Sequence, residues 1–239
     1  MISGILWRIV LVAIALVAVG VHLDRETLKT PSLAGSVPEP FRNSAQSFVA
    51  AKALNGSNGE LALAEAERLV QRRPLPAEHL RLLAQAQFAA GEVGQSAMSI
   101  QLAAQRGWRD PLAQESLLRL ALDAGDTDVA ASRYIALFLR RQTEDALLEE
   151  LGPAVFSDPG GEGREALVSV VAGGKRWHRQ FLARGARVLP PDAFTDVVSK
   201  VTATGERFEC RDLRTAFRPL NARDAKAGAQ FDELVESQC

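Results

Sequence analysis

Two stretches decide how this chain is read: Gln87–Ala104, QFAAGEVGQSAMSIQLAA, and Ala121–Phe138, ALDAGDTDVAASRYIALF. Each passes through Ala, Gly and an acidic residue, and Gly125 follows Gly91 by 34 residues. Leu80, Leu83, Ala84 and Phe88 mark one face of a helix, Gly91 stands where that helix ends, and Val93, Ala97, Ile100 and Ala104 mark the next. This is the pattern of a helical hairpin. Shifting the frame by 34 residues lays Leu117 on Leu83, Leu118 on Ala84, Leu122 on Phe88, Gly125 on Gly91 and Asp126 on Glu92. In the second helix Ala130 falls on Ser96, Ala131 on Ala97, Tyr134 on Ile100 and Phe138 on Ala104. The apolar register survives the shift, so one unit is written twice.

A 34-residue helix-turn-helix with a Gly-acidic turn and small residues opening its second helix resembles the tetratricopeptide repeat. The resemblance covers Glu78 to Arg141 well, and reaches weakly upstream to Gly59-Glu60 and the run Leu61 to Arg73. It implies an all-α fold, a TPR-like helical-hairpin solenoid (an α-α superhelix) whose concave surface binds a protein. Ala84 fits the small residue that the family favours where two helices cross; Leu118, its counterpart, departs from it. Helical periods continue downstream without the repeat: Thr143 to Phe156, interrupted at Gly152-Pro153, Glu162 to Ala172, stopped by Gly173-Gly174, and Asp192 to Thr204. From Ser44 onward the pattern predicts about ten to twelve helices and no alternating strand.

The N-terminal residues 1–23, MISGILWRIVLVAIALVAVGVHL, hold no acid and one basic side chain, Arg8. The helix from Ile2 to Leu23 would be roughly 33 Å long, about the hydrocarbon thickness of a bilayer. A retained anchor and a cleaved signal peptide both fit, the latter with Ala18-Val19-Gly20 as its small-residue step. Charges flank the segment on both sides and do not orient it. Residues 24–43 carry Pro31, Pro38 and Pro40 among polar residues with no apolar period, which predicts a tether. The chain thus divides into 1–23 (anchor or signal sequence), 24–43 (tether), 44–141 (repeats) and 142–239 (divergent helical region). Anchor, tether and repeats together resemble membrane-anchored repeat proteins of Gram-negative bacteria with no assigned activity. That implies a single pass through the inner membrane and a body in the periplasm.

Lys and Arg total 28 against 29 Asp and Glu, so no global field points to nucleic acid. His22, His79 and His178 stand apart from one another, without the spacing that puts two imidazoles and a carboxylate on one helix face, so no metal set is expected. Gly160, Gly161 and Gly163 precede a helix but lack the Gly-Lys-Ser/Thr ending of a phosphate loop. No catalytic pair and no cofactor site is named, and an envelope hydrolase with dispersed carboxylates is the lesser alternative. The outstanding local feature is GGKRWHRQFLARGARVLPP: Lys175, Arg176, Arg179, Arg184 and Arg187, with no acid between Glu165 and Asp192. One reading is an amphipathic helix burying Trp177, Phe181 and Leu182; the other is an anion site for a glycan, a lipid head group or an acidic partner segment.

The favoured function is a membrane-tethered helical-repeat scaffold that binds a protein partner in an envelope process, with Arg81, Gln85, Gln114 and Arg119 lining its groove. Cys210 and Cys239 are the only cysteines. Cys210 shares a stripe with Leu213 and Phe217 before Pro219 and Asn221 are expected to turn the chain, and Cys239 follows Val235 by four residues, on the face of Ala227, Phe231, Leu234 and Val235. An antiparallel hairpin brings both thiols to one open end, where a disulfide would form in an oxidising compartment; two unpaired thiols are the cytosolic alternative.

Overall fold

The computed structural model describes residues 2–239, and the side chains from Gly4 onward. Among the described residues every regular element is helical: thirteen α-helices and three short 3-10 helices, with no strand. By its contacts the chain divides into two compact units, 1–113 and 114–239.

The first unit begins with α1 (Ile2–Glu26). Its segment Gly4–Glu26 is long and apolar enough to cross a membrane, and its apolar side chains from Ile5 to Val21 are exposed. The expected tether from 24 to 43 is corrected here. Its first residues complete α1, and Pro31–Ser36 and Glu39–Phe41 form 3-10 helices that pack against α1. The cause is a buried carboxylate: Asp24 accepts the backbone N–H groups of Asn43 at 2.9 Å, Ser44 at 3.0 Å and Ala45 at 2.8 Å. These amides open α2 (Ala45–Leu54), where a helix has no partners of its own, so Asp24 caps α2 from another helix. Phe41 lies over Gly20, where any side chain would collide with its ring.

α3 (Gly59–Arg72), α4 (Ala77–Ala89) and α5 (Val93–Arg106) follow. Alanines let these helices approach closely: Ala62, Ala66 and Ala86 form one buried cluster, and Ala84, Ala103 and Ala104 are buried as well. Gly91 turns α4 into α5 with φ +85°, Glu92 donating to the Gln87 carbonyl at 2.8 Å.

The unit division falls within α6 (Pro111–Ala124). In the second unit Gly125 leads from α6 to α7 (Thr127–Phe138) with φ +71°, and Asp126 donates to the Ala121 carbonyl at 2.8 Å. Both glycines thus close their helices in the same left-handed motif, with the i to i−5 bond that glycine permits without steric cost. Leu118, the counterpart of Ala84 under the 34-residue shift, is fully buried.

α8 (Asp145–Phe156), α9 (Glu162–Ala172), α10 (His178–Val188), α11 (Pro191–Ala203), α12 (Cys210–Arg223) and α13 (Ala225–Gln238) complete the unit. Two expected breaks are absent, because Pro153 lies inside α8 and Pro219 inside α12. A proline there loses one helical bond, but Leu148, Leu151, Val155 and Phe156 around the first, and Leu213, Ala216 and Leu220 around the second, are buried and hold the helices together. Aromatic rings run through the core: Tyr134 to Phe156 at 4.9 Å edge-on, Phe181 to Phe194 at 5.3 Å and Phe194 to Phe231 at 5.4 Å. Each such pair adds about 1 kcal/mol beyond its burial. Cys210 and Cys239 form a disulfide with Cα atoms 5.8 Å apart, joining the start of α12 to the end of α13.

Candidate functional site

The basic segment folds as Lys175–Trp177, a 3-10 turn, leading into α10. Phe181 and Leu182 are fully buried and fix which face of α10 turns inward, while Trp177 is only half-buried. The opposite face carries the arginines, and they divide into two kinds.

Arg184 is buried and its guanidinium is spent on the protein. Its Nε donates to Asp145 Oδ1 at 2.9 Å, Nη1 to the carbonyls of Phe138 and Arg140 at 2.7 Å each, and Nη2 to the carbonyl of Thr143. Gln180 adds a bond to the Leu139 carbonyl at 2.8 Å. Together they clamp the turn that joins α7 to α8 through four of its carbonyls. The expectation that Arg184 binds an outside anion is therefore corrected: a guanidinium has five N–H groups in one plane, and here that plane faces the turn.

The remaining arginines surround a cleft of about 610 Å³ lined by Arg141, Asp145, Arg176, Arg179, Arg184 and Arg187 with Gln180 and Ala183. Asp145 is its only acid, and both carboxylate oxygens are taken, Oδ1 by Arg184 and Oδ2 by Arg187 at 3.3 Å. Arg176 lies 4.7 Å from the Trp177 ring, and no carboxylate pairs with Arg141, Arg176 or Arg179 among the described residues. Three exposed guanidinium groups with free N–H forks face one open space, an arrangement that suits carboxylate or phosphate oxygens. Lys175 is exposed and does not line the cleft. Arg141 was not legible as a member, because it stands 35 residues before Arg176 and long-range bonds from Gln180 and Arg184 bring its turn to α10.

The four residues expected to line a groove divide between the units, Arg81 and Gln85 in the first and Gln114 and Arg119 in the second. In the first unit Arg81 pairs with Asp110 at 2.9 Å and donates to Gln85 Oε1 at 3.2 Å, so its head is held within the unit. In the second unit Gln114 is buried and accepts from Arg133 at 3.3 Å, which removes it from any open surface. Arg119 pairs with Glu115 and Glu150, and these carboxylates, Glu150 foremost, raise its pKa further. His79 and His178 each meet a backbone carbonyl, of Arg73 at 2.9 Å and of Val171 at 3.1 Å, and are core residues. Comparison with family models, with curated proteins and with solved structures finds no match to this chain.

Proposed function

We propose that this chain is a membrane-tethered helical-repeat scaffold, a binding protein rather than an enzyme, that holds an acidic segment of a partner protein in the arginine cleft of its second unit. The observation that carries the reading is the set of unpaired guanidinium groups of Arg141, Arg176 and Arg179 around an open cleft whose one carboxylate is already committed. An extended acidic segment offers side-chain carboxylates in series, which three separate forks engage better than a single ion does. The repeated hairpins at Gly91 and Gly125 support a solenoid of the tetratricopeptide type. The apolar helix and the disulfide together favour a single-pass protein with its body in the periplasm, since disulfides persist in oxidising compartments.

The test is binding of a fluorescent Asp/Glu-rich peptide to the full chain in detergent, with the triple variant Arg141→Gln, Arg176→Gln, Arg179→Gln as comparison. Affinity should fall at least about tenfold in the variant and decline with salt in the wild type. An acidic oligosaccharide and vesicles containing phosphatidylglycerol, run alongside, separate a protein ligand from a glycan or a lipid head group. Equal affinity of wild type and variant for the peptide overturns the reading.

A further inference from the structure

The first unit contains a second concavity, of a different chemistry. It is a groove of about 850 Å³ lined by Pro31 and Ala34 from the first 3-10 helix, Phe48, Val49 and Ala51 from α2, and Leu61 from α3. We propose that it holds an acyl chain of a phospholipid from the surrounding membrane, a proposal that rests on α1 being a membrane anchor.

Three observations lead there. The first is position. Ala34 belongs to a buried cluster against which Phe48, Val49 and Leu23 of α1 pack, so the wall of the groove is continuous with the end of the apolar helix. The 22 residues from Ile2 to Leu23 rise about 33 Å against a hydrocarbon core of about 30 Å, which puts Leu23 at the boundary between acyl chains and head groups. The second is rigidity. The Asp24 cap and the Phe41 ring over Gly20 fix α2 and the 3-10 helices to α1, so the groove is held at that boundary rather than carried away on a free chain.

The third is charge. Arg42 and Lys52 line the groove with its apolar residues. Lys52 is exposed, and neither cation meets a carboxylate among the described residues, Arg42 donating instead to the Val37 carbonyl at 2.8 Å. The one acid of the lining, Glu65, is occupied by Arg68 at 2.7 Å and Gln46 at 2.7 Å. A groove with an apolar wall and two cations that no carboxylate neutralises matches an amphiphile whose tail is hydrocarbon and whose head is a phosphate. A partner helix would satisfy the apolar wall but gives no reason for its place beside the membrane helix.

The experiment places the full chain in nanodiscs whose phospholipid carries a diazirine on one acyl chain, irradiates them and maps the adducts by mass spectrometry. Adducts are expected on α1 and, separately, on the peptide containing Phe48 and Val49 and on that containing Leu61. Ala51→Trp, which fills the groove with an indole, should lower the second set at least fivefold and leave the first unchanged. Lys52→Glu, an exposed substitution that leaves the fold intact, should lower it at least twofold. Labelled α1 with an unlabelled groove overturns the proposal while the anchor stands, as does groove labelling that neither variant alters, or a groove found cross-linked to a second protein chain in place of lipid. An unlabelled α1 overturns the anchor and this proposal with it.

Discussion

Asp24 and Ala45 are joined across two helices: the Asp24 carboxylate accepts the Ala45 backbone N–H at 2.8 Å and so begins α2 from the end of α1. Asp24→Ala leaves up to three amides of Asn43, Ser44 and Ala45 without their acceptor. A loss of about 2 kcal/mol in the first unit is expected. Hydrogen exchange of the peptide covering 43–49 should accelerate accordingly. Unchanged protection there would show that the cap is not what holds the segment.

Arg184 and Arg179 carry the same charge on the same helix and should behave oppositely. Arg184→Gln removes the donor shared by the carbonyls of Phe138, Arg140 and Thr143 and leaves Asp145 without its buried partner, for a destabilisation of about 3 kcal/mol. Arg179→Gln removes an exposed side chain without a carboxylate partner and should shift stability by less than about 0.5 kcal/mol while weakening anion binding. Denaturant titration of both variants in one detergent distinguishes them, and similar midpoints would refute the division of roles.

At Gly125 the cost of a side chain is conformational alone, since a Cβ would meet nothing within 4 Å but φ is +71°. Gly125→Ala should cost about 1 kcal/mol, Gly125→Val more, and Gly125→Asn least. Gly91, at φ +85° in equally open space, should give the same order. The order is read from thermal denaturation of the three variants at each site.

The Cys210–Cys239 bridge closes a loop of sequence separation 29. Opening it should lower stability by about 3 kcal/mol in the chain-entropy account and free the end of α13. Dithiothreitol should reproduce the effect in the wild type and have none on Cys210→Ser/Cys239→Ser. Two alkylatable thiols in unreduced protein from its native compartment would remove the bridge and the periplasmic assignment together.

Tyr134, the single tyrosine, is buried and donates its hydroxyl to the Leu148 carbonyl at 2.9 Å. Burial, opposed by the nearby Arg184 and Arg223, pushes its phenol well above the ordinary value. The unfolded chain releases this proton near pH 10 and the folded chain does not, so the contribution of Tyr134 to stability is whole below pH about 10 and declines as pH rises above it. Tyrosinate absorbance should therefore grow together with the loss of helical circular dichroism. An ordinary titration near pH 10 with helicity retained would mean that the phenol is hydrated.

The helices of the second unit were legible wherever the apolar period was unbroken: Glu162 to Ala172 matches α9, and Asp192 to Thr204 differs from α11 by one residue at each end. Reading failed at Pro153 and Pro219, where a local rule said stop. Burial on both sides of each proline overrode it, and burial is a property of neighbours far along the chain. The segment 24–43 failed for the same reason, since nothing in its composition reveals that Asp24 supplies the acceptor for amides about 20 residues away.

The sequence by itself determined the hairpins, the apolar N-terminal helix and the placing of its two cysteines at one end of a hairpin, because each rests on periodicity within one or two adjacent helices, where spacing alone fixes the face a residue occupies. Only the tertiary structure decided which arginines are free. Arg176, Arg179 and Arg184 look alike in sequence, but Arg184 meets carbonyls 41 to 46 residues away, whereas the other two face open solvent. A guanidinium acts on whatever its planar fork meets, and that partner is set by long-range packing rather than by the residues beside it.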